Sequence, residues 1–299
     1  MDILGIAVNL VAFLALAPLF EGVIRKITAR VQSRQGPPII QPYYDILKLL
    51  GKQNLNAGNF AFTIAPLLAL ASIIGVIAFL PLGYRANYLA GYADIITVIY
   101  LLTLGGVACL LGALSSRNTY ALMGASREMI TMIMVEPVLA MGLIMGAVKM
   151  KSIGIETAVF GAAAGGYGWS VFVMLAAYLA ALQAFVGRQP FDMAEAEVEI
   201  LEGPFIEYSG PGYALFRYYL MLKQMFYASL FVVLFIPPLR TGMYGTDVLV
   251  QLVLVLGVIL FIALIGSTNP RLRIDQAQKY FAVLILVSLA AVGLSVYGL

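Results

Sequence analysis

The sequence predicts an all-α, polytopic integral membrane protein, and three observations predict it. Apolar residues make up 62% of the 299 and charged residues 11%, where soluble domains carry roughly 45–50% and about 25%. The apolar residues gather in about eight runs, each near the roughly 20 residues a helix needs to cross a hydrocarbon core about 30 Å thick. The runs are continuous rather than alternating, unlike the short strands of a membrane barrel. One transmembrane helical domain over residues 1–299 is expected, without internal repeat, low-complexity tract or linker.

The first span is read over residues 3–24. It has no basic flank before it and no small-residue cleavage site after it, so it is expected to be retained and not removed as a signal peptide. The segment that follows, "RVQSRQGPPIIQPYYDILKLLGKQNL", is too polar to cross. Pro42 can open a helix there, and Tyr43, Ile46, Leu47 and Leu50 follow at spacings of three and four. A surface-lying amphipathic helix is predicted, either adhering to the bilayer or docking a partner. Further spans are read over residues 60–81, 94–114, 129–149, 169–186, 213–236, 247–266 and 277–298.

Basic residues give the expected sidedness. Twelve of them, among them Arg25, Arg34, Lys48, Arg117, Arg127, Arg188, Arg271 and Arg273, fall in loops of one parity. Four, Arg85, Lys149, Lys151 and Arg240, fall in the other. By the positive-inside rule the loops near residues 25–59, 115–128, 187–212 and 267–279 are cytoplasmic in a cell membrane, with both termini outside. Histidine is absent and Cys109 is the single cysteine, which excludes an intrachain disulfide and removes the usual ligands of zinc, haem and iron-sulfur clusters. No metal or other cofactor is expected on this chain, and the partner environment is the lipid bilayer, with no nucleic acid.

Carboxylates are then informative by position. Glu128 and Glu136, at the entry to and inside the fourth span, are eight residues apart, on one helix face and about 12 Å apart along its axis. A carboxylate inside a span is costly unless it is paired or wetted, and so is a functional candidate. Arg217 and Lys223 in the sixth span either snorkel or answer these acids. The stretch "GRQPFDMAEAEVEILEGPFIEYSG", residues 187–210, holds six of the chain's fifteen acids. If residues 192–202 are helical, Asp192, Glu195, Glu199 and Glu202 form one stripe, with Glu197 off it. Ala and Glu favour that helix, and Gly203-Pro204 would end it. Such a stripe would raise its own proton affinity and share protons. Phe191, Ile200, Leu201, Phe205, Ile206 and Tyr208 make the segment too apolar for a free loop, so the acids are expected under a partner or folded between spans.

At these residues the sequence resembles the membrane subunit at the elbow of respiratory complex I, the NuoH-type family. It is most similar to the corresponding subunit of energy-converting nickel-iron hydrogenases. The resemblance rests on Arg188-Gln-Pro190-Phe191-Asp192 with Glu195, Glu197 and Glu199, continuing to Glu207-Tyr208-Ser209-Gly210. Arg34-Gln-Gly36-Pro37, Gln41-Pro42-Tyr-Tyr-Asp45 with Lys48, Arg127 before Glu136, and Pro270-Arg271-Leu-Arg273-Ile-Asp275 add to it. The resemblance implies a non-catalytic subunit that binds hydrogenase-like large and small subunits of a soluble redox arm and adjoins antiporter-like and small membrane subunits. It implies Glu136, Asp192, Glu195, Glu197, Glu199, Glu202 and Glu207 as coupling acids, and Glu128, on the face of Glu136, and Lys223, the nearest charge in the sixth span, are counted with them from their positions. It also implies Arg34, Gly36, Pro37, Gln41, Pro42, Asp45, Lys48, Arg188, Arg271, Arg273 and Asp275 as arm-facing. Iron-sulfur clusters and a nickel-iron site would belong to partners.

Four departures from the quinone-reducing pattern favour the hydrogenase branch. "GPPIIQP" is short, Glu21 lies one turn before the family's glutamate near Ile24, Leu220 stands where the sixth span has its glutamate, and "VEP" occupies 135–137. A quinone-site or sulfur-reducing complex on the same scaffold, and a stand-alone transporter, are the alternatives.

Overall fold

A computed structural model describes residues 2–55, 59–83, 88–164, 168–236 and 243–298; within these, the side chains of residues 2–4, 88, 90, 162–164, 197 and 198 lie outside the description. Arg85 and Arg240, used in the charge count, therefore lie outside the described residues. Eight helices are long and apolar enough to cross a membrane: α1 (Asp2–Val31), α3 (Phe60–Phe79), α4 (Ile95–Ser115), α5 (Thr119–Met150), α7 (Trp169–Val186), α9 (Gly210–Phe235), α10 (Tyr244–Thr268) and α11 (Ile274–Val296). The chain is a multi-pass, all-α membrane protein. The surface helix is α2 (Gln41–Leu50), opened by Pro42 in its first turn.

Helices outrun the apolar runs where charges continue them. Arg25, Lys26 and Arg30 are helical in α1 rather than in the following loop, and α5 begins at Thr119, ten residues before the expected 129. Hydropathy finds only the stretch that meets hydrocarbon, whereas these polar turns are held by partners beyond it. Asn118 caps α5 by accepting from the Tyr120 amide at 2.8 Å, satisfying one of the free donors of the first turn.

The helix α9 is the centre of the bundle. It is the least hydropathic span, yet 83% of its most apolar window is buried inside the protein, against 28% for α11. The reason is in its sequence: Arg217, Lys223, Gln224 and Ser229 would be costly against lipid, so protein surrounds them. The short helix α6 (Ile155–Ala164) is an element the sequence reading does not anticipate. Ten helical residues reach about 15 Å, half the hydrocarbon thickness, so α6 leans on α5 instead of spanning. Gly142 and Gly146 let Tyr178 and the Ala158 backbone lie directly on α5, where a Cβ would overlap them, as small residues do at membrane helix interfaces.

The predicted helix over residues 192–202 does not form. Only α8 (Glu197–Ile200) is helical, preceded by extended and turn conformations from Asp192 and followed by a tight turn at Gly203–Phe205. A helix would have aligned four repelling carboxylates; the fold instead turns Asp192 and Glu195 inward and leaves Glu199 and Glu202 exposed. Gly203-Pro204 does end the segment. Gly203 has φ +52°, and a Cβ there would overlap the Ala194 carbonyl oxygen. Across the contact, a Cβ on Gly124 of α5 would come 2.6 Å from Pro204 Cδ. Gly203→Ala is therefore expected to cost about 1–3 kcal/mol, read as a lower unfolding midpoint of the purified protein, with Gly124→Ala behaving likewise.

Candidate functional site

At the end of the bundle that carries the motif loops, residues 187–207 fold back into the protein. The link from α7 starts at Gly187, which caps that helix in the left-handed region. Phe191 packs on Tyr280 and Phe281 of α11 with ring centroids 5.3 and 5.1 Å apart, and the Leu272 amide donates to the Pro190 carbonyl at 2.9 Å. The far end is closed by Tyr208, stacked on Phe62 at 4.0 Å and donating to the Phe62 carbonyl at 3.0 Å. With both ends pinned, Asp192 and Glu195 are placed in the interior.

Two adjacent cavities meet at these two carboxylates. The larger, about 410 Å³, is polar and is bounded by Glu21, Arg25, Asp45, Arg188, Arg217 and Gln224, with Asp192 and Glu195 in its wall. The smaller, about 60 Å³, reaches toward the membrane interior past Glu128, Lys223, Glu136 and Tyr219, and shares Asp192 and Glu195. That volume has room for a few waters, and its carboxylates offer the polar partners that water requires. Lys223 Nζ stands 3.9 Å from Glu128 Oε1. The order Glu195, Glu128, Lys223, Glu136 thus leads from the loop end into the span.

Glu195 is half-buried, facing the cavities from within the folded-back segment. Burial, reinforced by the Asp192 charge, pushes its carboxyl up to about 7. A carboxyl poised near neutrality accepts and releases protons in response to small changes of nearby charge. Asp192 is instead paired with Arg271 at 3.1 Å. Glu199 projects outward and pairs with Arg127 at 2.5 Å; the hydrogen bond and charge of Arg127 hold it below the usual carboxylate range. Glu202 accepts from Tyr213 at 2.8 Å and Glu207 from Asn118 at 2.5 Å, both at the exposed rim. The Glu197 side chain lies outside the described residues. Of the sequence-predicted coupling residues, the structure brings Asp192, Glu195, Glu128, Lys223 and Glu136 together, and leaves Glu199, Glu202 and Glu207 at the periphery.

Sequence reading passes over the polar ladder that organises the larger cavity. Glu21, buried in α1, receives Arg188 from the folded-back segment and Arg25 from its own helix at 3.3 Å. Arg188 also donates to Gln224 Oε1 at 3.2 and 3.1 Å. Arg25 continues to Asp45 of α2 at 2.8 Å, and Gln41 donates to the same carboxylate at 3.1 Å. Partial burial pushes Asp45 upward, but these donors outweigh it and hold its carboxyl below the usual range. Glu21 is the single acid within the first apolar run, which is the signal that could have found it. Arg188, Asp45 and Arg271, expected to face an arm, are engaged within the chain, while Arg34, Lys48, Arg273 and Asp275 are exposed on the loop face. Gly36 and Pro37 lie half-buried there, and Pro42, in the first turn of α2, is buried.

A family model described as NADH dehydrogenase matches residues 4–296. The chain belongs to this family. Hydrogenase-4 component C of Escherichia coli K12 is 40% identical over 231 residues, covering 76% of this chain and 73% of that protein. Formate hydrogenlyase subunit 4 of the same organism is 33% identical over 97% of this chain and its own full length. A subunit of the NADH-quinone oxidoreductase of Syntrophotalea carbinolica is 32% identical over 93% of this chain and 88% of that protein. A chain of the archaeal membrane-bound sulfane sulfur reductase superposes with a TM-score of 0.85 at 28% identity, covering 98% of this chain and 99% of that one. These relatives are thus membrane subunits of hydrogenase-like, complex I-like and sulfur-reducing assemblies, in keeping with the resemblance carried by the motif residues.

Proposed function

We propose that this chain is the membrane anchoring and coupling subunit of an ion-translocating, membrane-bound hydrogenase. In this reading it links ferredoxin-driven proton reduction in a soluble arm to proton or sodium movement in antiporter-like subunits. The observation that carries the reading is Glu195, poised near neutrality between a polar cavity at the loop end and a second cavity leading to Glu128, Lys223 and Glu136. Such a group makes and breaks no substrate bond. It changes protonation when a redox centre above it changes charge, and the membrane carboxylates respond in turn. Arg34, Arg273 and Asp275 on the exposed loop face are the contacts proposed for the arm, whose subunits would hold the iron-sulfur and nickel-iron centres.

The relatives with hydrogenase names support the acceptor assignment, and so does the wall of the larger cavity. It is lined by Glu21, Arg25, Asp45, Arg188 and Arg217, a charged surface ill matched to a quinone ring and its apolar tail. The sulfane sulfur reductase likeness keeps a sulfur acceptor as the second reading. Purification of the intact complex in mild detergent through a tag on this chain tests the assignment. Nickel in the preparation and hydrogen evolution from reduced ferredoxin are expected. Iron-sulfur clusters without nickel, with reduction of a sulfur or quinone substrate, would overturn the hydrogenase reading and leave the coupling role in place.

A further inference from the structure

A third hollow, adjoining the larger cavity across Arg25, Asp45, Arg217 and Met221, lies between the surface helix α2 and the start of α9. It has a volume of about 230 Å³ and is walled by Arg25, Lys48, Lys52, Arg217 and Asp45, with Ile46, Leu49, Met221 and Tyr213. Four bases and one acid give the walls a net charge of +3. Asp45 is already committed to Arg25 and Gln41. Among the described residues, Lys48, Lys52 and Arg217 form no direct ion pair; Arg217 lies over the Tyr213 ring, 5.8 Å from its guanidinium carbon, and feels the charges of Glu21, Asp45 and Glu195 from the adjoining cavity. Four bases converging on one cleft with a single acid in its wall repel one another, and an anion that entered would relieve that repulsion.

Position and lining choose the anion. The cleft lies where α2, whose amphipathic sequence suits the bilayer surface, meets the spanning helix α9, and such a junction falls at the depth of lipid headgroups. Ile46, Leu49 and Met221 carry an apolar wall away from the bases. Basic pockets between membrane helices at this depth suit the phosphodiester of an anionic lipid, with Arg supplying paired donors and Lys a point charge. We propose that this cleft seats one anionic phospholipid, its phosphate among Arg217, Lys48 and Lys52 and the upper part of its acyl chains along Ile46, Leu49 and Met221. The bound lipid holds α2 against α9 by neutralising the charge that separates them. This rests on the cleft and not on the identity of the electron acceptor.

The test uses the whole tagged complex in phosphatidylcholine nanodiscs carrying a small fraction of photoactivatable phosphatidylglycerol, with crosslinks mapped by peptide mass. Crosslinks are expected on residues 46–52 and 213–221, with little labelling there by a photoactivatable phosphatidylcholine of the same chains. Lys48→Gln with Lys52→Gln, two exposed positions where folding is not at stake, should lower labelling by about fivefold for each base removed, the factor equivalent to about 1 kcal/mol per base near an anionic surface. Arg217→Gln should lower it similarly and Arg217→Lys less. Equal labelling by both lipids in the wild-type complex, or labelling unmoved in the lysine variant, would overturn the proposal. Displacement of the phosphatidylglycerol probe by inorganic phosphate would make the occupant a free anion and overturn the lipid assignment. Crosslinks from the cleft to another subunit in place of lipid would make it a protein interface and overturn it as well.

Discussion

Ion movement driven by the assembled complex is expected to fall about a hundredfold in Glu195→Gln, the loss typical of removing a positioned proton-transfer group, while the complex still assembles. Glutamine keeps the shape and hydrogen bonding of the protonated acid but cannot release the proton. Hydrogen evolution in detergent, where no gradient opposes it, should fall far less than ion movement measured in sealed liposomes. Equal loss of both would mean that Glu195 serves electron transfer or assembly and not coupling.

The same residue sets a pH dependence whose sign follows from its environment. With the carboxyl raised to about 7 by burial and by Asp192, the folded chain keeps a proton that the unfolded chain releases near the ordinary carboxylate value. Folded-state stability from this group is therefore intact below that ordinary value and declines as pH rises through the window up to about 7, where the buried group becomes charged. Unfolding midpoints taken at about pH 5 and about pH 8 should differ less in Glu195→Gln than in the wild type, because the variant has nothing to ionise. An unchanged difference would place the titrating group elsewhere.

The second large effect is expected at the polar ladder. Glu21→Gln leaves Arg188 and Arg25 facing each other across a buried site without their anion. Removing one member of a buried ion pair typically costs about 3–5 kcal/mol, and here the lower end is expected because Arg188 lines the polar cavity and its side chain is 37% exposed. The loss should appear as a markedly lower unfolding midpoint, and proteolysis within residues 187–210 should report that the folded-back segment has come loose. Glu21→Met combined with Arg188→Met should recover part of the stability, since it removes both charges together. Recovery without return of ion movement would assign the pair to positioning the segment and also to the electrostatics of the cavity. Full recovery of both would limit it to stability.

Much of the architecture is legible in the sequence because its physics is local. A bilayer admits only segments that satisfy their own backbone, so the apolar runs announce the eight spans, Pro42 and the three-and-four spacing announce α2, and carboxylates at 128 and 136 announce a polar path. The family too is legible, since its motifs are contiguous strings of residues. The helix expected over 192–202 is the instructive departure. Its local propensity is sound, but three of its acids are engaged by residues outside the segment: Asp192 by Arg271, Glu199 by Arg127 and Glu202 by Tyr213.

What the sequence determined by itself is thus the membrane class, the order of the spans, the surface helix and the store of charge at one end. Only the tertiary structure decided which acids are buried, because burial of Glu195 and exposure of Glu199 depend on where α5, α9 and α11 pass. It also decided the partner of Glu21, 167 residues away along the chain, and the convergence of Lys48, Lys52 and Arg217 on one cleft. Charges act through space and fall off with distance, so their roles are set by the packed helices that bring them within reach, which no run of neighbouring residues records.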